Sequence, residues 1–127
     1  AAPADTPGYH AIGEGLRAFC SDAAAARLAP FALADDPDAI ARAARAAGFA
    51  AAAVERHELV LSAPSARDFV TWVAAGGPTV RHNIARLAED RRLDFHRFVE
   101  RALAPFTDTG GGGLRLPSAR TVLAATR

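Results

Sequence analysis

Only two stretches of this chain carry the pattern of a β-strand, and some fifty residues separate them. Ala50–Ser62 holds Val54, Leu59, Val60 and Leu61, and Leu114–Ala125 follows a run of four glycines. Pro117 falls inside the second stretch, where a residue without an N–H requires a bulge or an edge position. A fold built around these segments has at most a narrow sheet, and two strands alone need other elements to pack against. The remainder must be helical, and its large apolar residues are few. Of 127 residues, 33 are alanine, while Leu, Ile, Val and Phe together number 28. An alanine buries a single methyl group, worth about 0.8 kcal/mol per carbon unit. The expected core is therefore thin, and it would gain from packing against something else.

The helices are well marked. In Pro7–Phe19, residues Ile12, Leu16 and Phe19 share one face, with Gly13 and Gly15 as weak points. A short alanine turn follows from Asp22, capped by Ser21 or Asp22, and Pro30 imposes an extended or turn segment through Leu33. The stretch "DDPDAIARAARAAGF" predicts a helix with Asp36 as N-cap, Pro37 in the first turn and Gly48 as terminator. Ile40, Ala44 and Ala47 are expected inward, Arg42 and Arg45 outward. Ser65 and Asp68 form a capping-box pattern that opens a helix over 65–74, with Phe69, Trp72 and Val73 as its apolar face. After "AGGP" (75–78) a helical region runs over 79–104, with a break near Arg92. Val80, Ile84 and Leu87 align before the break; Phe95, Phe98, Val99, Ala102 and Phe106 align after it, and Pro105 ends the region. Helix, glycine and strand in that order belong to an α/β fold.

Chemistry-bearing motifs are sparse. The run "TDTGGGGLRL" has the composition of a phosphate loop in the wrong order, since it follows a helix and precedes a strand. Phosphate loops place a helix N-terminus directly after the glycines, so a flexible turn is the reading here. His10, His57, His82 and His96 lack metal-ligand spacing. Pairing His82 with Glu89, or His96 with Glu100, supplies one imidazole and one carboxylate, too few for zinc. Cys20 is the single cysteine, which excludes an internal disulfide, suits a reducing cytoplasm and reads as a buried inert thiol. Fifteen arginines against fourteen carboxylates give a net charge of +1, and Glu89, Asp90, Asp94 and Glu100 interleave the arginines of 81–101. That pattern describes a solvated helix face with local ion pairs, not a nucleic-acid surface. No apolar run reaches the roughly 20 residues of a membrane span. A hydrophobic pocket roofed by the Phe/Trp helices is a further expectation for such a chain.

Taken in order, "PF.L.D" from "APFALADD", an alanine-rich helix ending "AGF" (47–49), a long strand, "PSARDFV" (64–70), "LAPF" (103–106) before a glycine turn, and "LRLPSARTVLAATR" resemble one known family. They are similar to the C-terminal half of class I S-adenosylmethionine-dependent methyltransferases of the ubiquinone/menaquinone-biosynthesis type, over nearly the whole chain. The resemblance implies a helix-rich α/β fold, the C-terminal part of a Rossmann-like sheet, with about five helices. In it, 50–62 and 114–125 form an antiparallel edge pair, helix 37–47 covers the sheet, and residues 65–106 are a helical insertion near the substrate. Residues 1–127 then form one partial domain, with Phe69 and Trp72 as pocket or lid candidates. The family builds its methyl-donor site in its first half, and no residue of this chain matches a donor-binding position. The resemblance implies S-adenosylmethionine as cofactor of the complete enzyme and none for this chain alone. Its partner would be an N-terminal half or a second copy, and its acceptor a small molecule. The competing reading is a non-catalytic α-rich module that dimerises, or one that binds a hydrophobic small molecule.

Overall fold

A computed structural model describes residues 6–28, 37–108, 110 and 113–127. Among them are six α-helices and one two-stranded antiparallel sheet. The helices are α1 (Pro7–Phe19), α2 (Asp22–Ala26), α3 (Pro37–Ala46), α4 (Ala66–Gly76), α5 (Pro78–Ala85) and α6 (Glu89–Leu103); the strands are β1 (Ala51–Ala63) and β2 (Leu114–Thr126). The two strands pair antiparallel as expected, and there is one helix more than expected. The extra helix is α2, which takes the place of the expected short alanine turn, and the expected break divides the 79–104 region into α5 and α6.

That division lies at Arg86–Ala88 rather than near Arg92. Arg92 belongs to α6, and its Nη2 reaches back to donate to the carbonyls of Leu87 at 3.2 Å and Ala85 at 3.5 Å. Its guanidinium thus supplies a donor to the last carbonyl of α5 and to one in the link that follows it. Pro105 sits within a single 3-10 turn, Ala104–Phe106, that finishes α6.

Local caps behave as the residue types dictate. Ser21 Oγ accepts from the Ala24 N–H at 3.0 Å, and Ser65 Oγ accepts from Asp68 N–H at 3.1 Å while donating to the Asp68 carboxylate. Gly48 closes α3 at φ +103°. Its N–H bonds Arg45 O and the next N–H, of Phe49, bonds Ala44 O, a Schellman arrangement that needs the left-handed backbone glycine supplies. Ala47 is consequently exposed, because the chain has already left the helix there; Ala44 is buried as expected. Asp36 and the Pro30–Leu33 segment lie outside the described residues.

The core is a helical cluster with one end of the sheet laid on it. Ile12, Leu16, Val70, Val80, Phe95, Val99 and Leu103 are all at most 1% exposed, and so are Leu114 and Leu116 at the start of β2. The buried line on α6 runs Phe95, Val99, Leu103, so Ala102 falls beside it and faces solvent. Two rings pack directly on the backbone of α1. A methyl on Gly8 would lie 2.6 Å from Phe69 Cζ, and one on Gly15 would lie 2.7 Å from Phe95 Cε2.

The strands pair without a bulge along all thirteen positions, from Ala51 opposite Thr126 to Ala63 opposite Leu114. Pro117 is opposite Val60 within this continuous ladder. It is tolerated because every strand of a two-stranded sheet is an edge strand. Alternation puts Leu61, Ala63, Leu114 and Leu116 on one face, against the helical core. α3 contacts both strands, and the half-buried Ala52, Val54, Thr121 and Ala125 lie on the opposite face.

Candidate functional site

The two aromatic residues singled out on the 65–74 helix take different positions. Phe69 is 4% exposed and belongs to the core, its ring seated over Gly8 and edge-on to Tyr9 with centroids 6.0 Å apart. Trp72, one turn further along α4, is 53% exposed. Between them, α4 and the first turn of α1 form two adjoining clefts. The smaller, of about 200 Å³, is bordered by Phe69, Leu61 and Ser62; the larger, of about 370 Å³, runs along Leu28 to Gly77 and Thr79. Tyr9, Trp72 and Val73 border both. The larger cleft is within the size range of small-molecule sites, which starts near roughly 300 Å³.

Tyr9 and Arg27 are cleft residues that periodicity does not single out. Tyr9 is half-buried beside an all-apolar stripe, and Arg27 lies just past the end of α2. Their proximity to Trp72 arises from the tertiary fold, so no local spacing announces it.

The remaining candidates serve structure. Among the described residues no group of three or more His, Cys, Asp or Glu could hold a metal ion. His10, His57 and His82 are exposed, and His57 Nε2 lies 3.1 Å from Glu55 Oε2 on the same face of β1. His96 is buried at 7% exposure, with no hydrogen-bond partner for Nδ1. Burial holds its imidazole below the usual histidine range, helped by Arg67 and Arg92 and opposed by Glu100. Cys20 Sγ lies 3.9 Å from the Asn83 carbonyl, and burial pushes its thiol up against a downward pull from Arg91. A raised thiol is the opposite of what a nucleophile requires. Arg91 lies over the Phe19 ring, 4.8 Å from its centroid, and Arg97 is 4.0 Å from Asp94.

The glycine run joins the 3-10 turn to β2. Thr107 bridges Leu114, the Asp108 N–H bonds Gly113 O, and the Gly110 N–H bonds Asp108 Oδ1 at 2.9 Å. Asp108 therefore organises a turn whose carboxylate faces its own backbone, and the next regular element is a strand. An acidic group and the absence of a following helix make this a poor phosphate cradle. Thr109, Gly111 and Gly112 lie outside the described residues. No described helix is long and apolar enough to cross a membrane.

No family model, curated protein or solved structure matches the chain. The resemblance to methyltransferases thus rests on the chain's own residues.

Proposed function

We propose that this chain is the C-terminal, substrate-side portion of an S-adenosylmethionine-dependent methyltransferase, whose donor site is supplied by an N-terminal half. The observation that carries this reading is the sheet. Each strand has thirteen residues, roughly 44 Å at about 3.4 Å per residue, and the described residues place no third strand beside either one. A ribbon this long exposes two rows of backbone N–H and C=O groups, a feature that isolated small domains normally suppress. Its antiparallel pairing, the helix on its outer half and the helices between its strands suit the terminal edge of a larger α/β sheet. The clefts beside Trp72 would then lie on the acceptor side, with Phe69 as floor and Trp72 as wall.

Under this reading the chain binds no methyl donor alone. Calorimetric titration with S-adenosylmethionine is expected to give no binding heat, while co-expression with its N-terminal complement restores saturable binding. Tight donor binding by the isolated 127-residue chain would overturn the proposal. The same open edges favour a second reading, self-association of a non-catalytic module. Sedimentation equilibrium separates the two: a stable dimer that the N-terminal complement fails to dissociate favours the module.

A further inference from the structure

The larger cleft combines two kinds of lining in a way that specifies a ligand. Tyr9 and Trp72 supply aromatic surface, and Leu28 and Val73 supply aliphatic surface. Arg27 is the one charged residue among its described lining, and no carboxylate partner for it lies among the described residues. Thr79 adds a hydroxyl close to the start of α5, whose cap residue Gly77 provides no side-chain acceptor. A guanidinium is a planar fork that pairs with a carboxylate through two parallel hydrogen bonds. Aromatic walls favour a flat ring system over a flexible chain, because ring stacking is gained with little ordering cost.

We infer that the cleft between α1 and α4 binds a planar aromatic carboxylate, its rings against Tyr9 and Trp72 and its carboxylate on Arg27. The inference specifies the acceptor class of the enzyme proposed above and rests on that reading only for its biological meaning. Binding itself is a property of this chain. The volume of about 370 Å³ accommodates a two-ring acid, and the adjoining 200 Å³ beyond Trp72 leaves space for a ring substituent.

Trp72 is the single tryptophan, so its indole N–H resonance reports on the cleft directly. The test titrates the full 127-residue chain with 2-naphthoate and with its neutral counterpart 2-naphthamide, by calorimetry and by the Trp72 indole shift. The acid is expected to bind at least tenfold more tightly than the amide and to move the indole resonance. Arg27→Gln should remove that preference by weakening the acid far more than the amide, and Trp72→Ala should weaken both ligands. Both side chains are exposed, so both variants should retain the fold, as circular dichroism would verify. Equal affinities for acid and amide on the unmodified chain, or no binding of either, would overturn the inference whatever the variants do. Such a negative result alongside donor binding by the two assembled halves would remove the ligand class and leave the methyltransferase reading standing. Acid-selective binding together with tight donor binding by the isolated chain would do the reverse.

Discussion

The two halves of the β-ribbon are continuous in hydrogen bonding and opposite in surroundings. At the end near the helices, Ala63, Leu114 and Leu116 are buried, and the ribbon is part of the core. Beyond Leu59 and Ser118 the same ladder continues to Ala51 and Thr126, yet Leu59, Val122 and Leu123 are all more than 40% exposed. α3 half-covers one face there, and the other face, carrying Ala53, Glu55, His57, Val122 and Ala124, is open. The difference shows how far a thin core reaches. The large side chains of α1, α4 and α6 suffice to anchor Leu61 and Ala63 of β1 and Leu114 and Leu116 of β2, and alanines cover what they can of the rest. The outer half retains strand geometry with little of the burial that normally stabilises a strand, which fits a surface built to receive further structure.

Paired substitutions test this contrast, and the largest effect is expected at its two ends. Leu116→Ala empties a site that is 1% exposed and should cost about 2–5 kcal/mol, enough to unfold a marginal domain. Leu123→Ala, on the same strand at 41% exposure, should stay within about 1 kcal/mol. Urea denaturation measures both, and hydrogen exchange adds the local view: amides paired near Leu61 and Leu116 should exchange last, and those near Ala53 and Ala124 first. Comparable losses at Leu116 and Leu123 would mean that the outer half is anchored in its own right, and the case for a missing neighbour would fail. If the outer amides become protected when the N-terminal complement is added, the contrast sharpens in favour of the enzyme reading.

Much of this architecture is written in local signals. The strand bounds fall within one residue of expectation, α1 runs from Pro7 to Phe19, and Ser65 and Gly48 do what their residue types require, because turns and caps are decided by nearest neighbours. The break between α5 and α6 carries no such local signal. Ala88 occupies the N-cap with no side-chain hydrogen bond, and neither Gly nor Pro marks the spot. What marks it is the Arg92 side chain folding back onto Ala85 and Leu87, which no periodicity reveals. Periodicity puts Ala47 and Ala102 inward and the fold exposes both, because a small apolar residue satisfies either environment and its position carries little information. The site divides the same way: Trp72 was visible as an aromatic on a helix face, whereas Tyr9 and Arg27 join it only through tertiary packing. Phe69 looked equivalent to Trp72 on the helix and proved to be core, since Gly8 leaves a place for its ring.

A smaller effect, about 1–3 kcal/mol, is expected within the anchoring cluster at α1. Gly15→Ala drives a methyl into the Phe95 ring, which is fully buried. Gly13→Ala meets only Leu28 Cδ1 at 3.9 Å, an ordinary contact, and should stabilise by about 0.5–1 kcal/mol through helix propensity alone. Opposite signs for two glycines two residues apart would confirm that the core is tightly packed where the ribbon is anchored. Two stabilising substitutions would mean that Phe95 can move, and the anchored half of the ribbon would be softer than its burial suggests. Thermal unfolding of both variants decides the matter.

The smallest effect concerns acid and again sets the cluster against the ribbon. His96 is buried on α6, and its imidazole is held below the ordinary histidine value near 6.5 by burial and by Arg67, with Glu100 opposing and Arg92 adding to the fall. In the unfolded chain the same imidazole takes up a proton as pH drops through about 6.5. Between that value and its lower folded-state value, the unfolded state binds more protons, so stability must decline as pH falls. Below the folded value both states are protonated, and this contribution levels off. His96→Gln removes the titration and should flatten the stability profile from about pH 6.5 downward, leaving the carboxylate-driven loss at lower pH intact. Because His96 lies in the anchoring cluster, hydrogen exchange at pH 5.5 should show α6 and the Leu116 end of the ribbon losing protection together in the unmodified chain, with both retained longer in the variant. A profile of identical slope in the two proteins would place the acid sensitivity elsewhere, and a selective loss in the Ala51–Glu55 segment would place it in the ribbon's outer half.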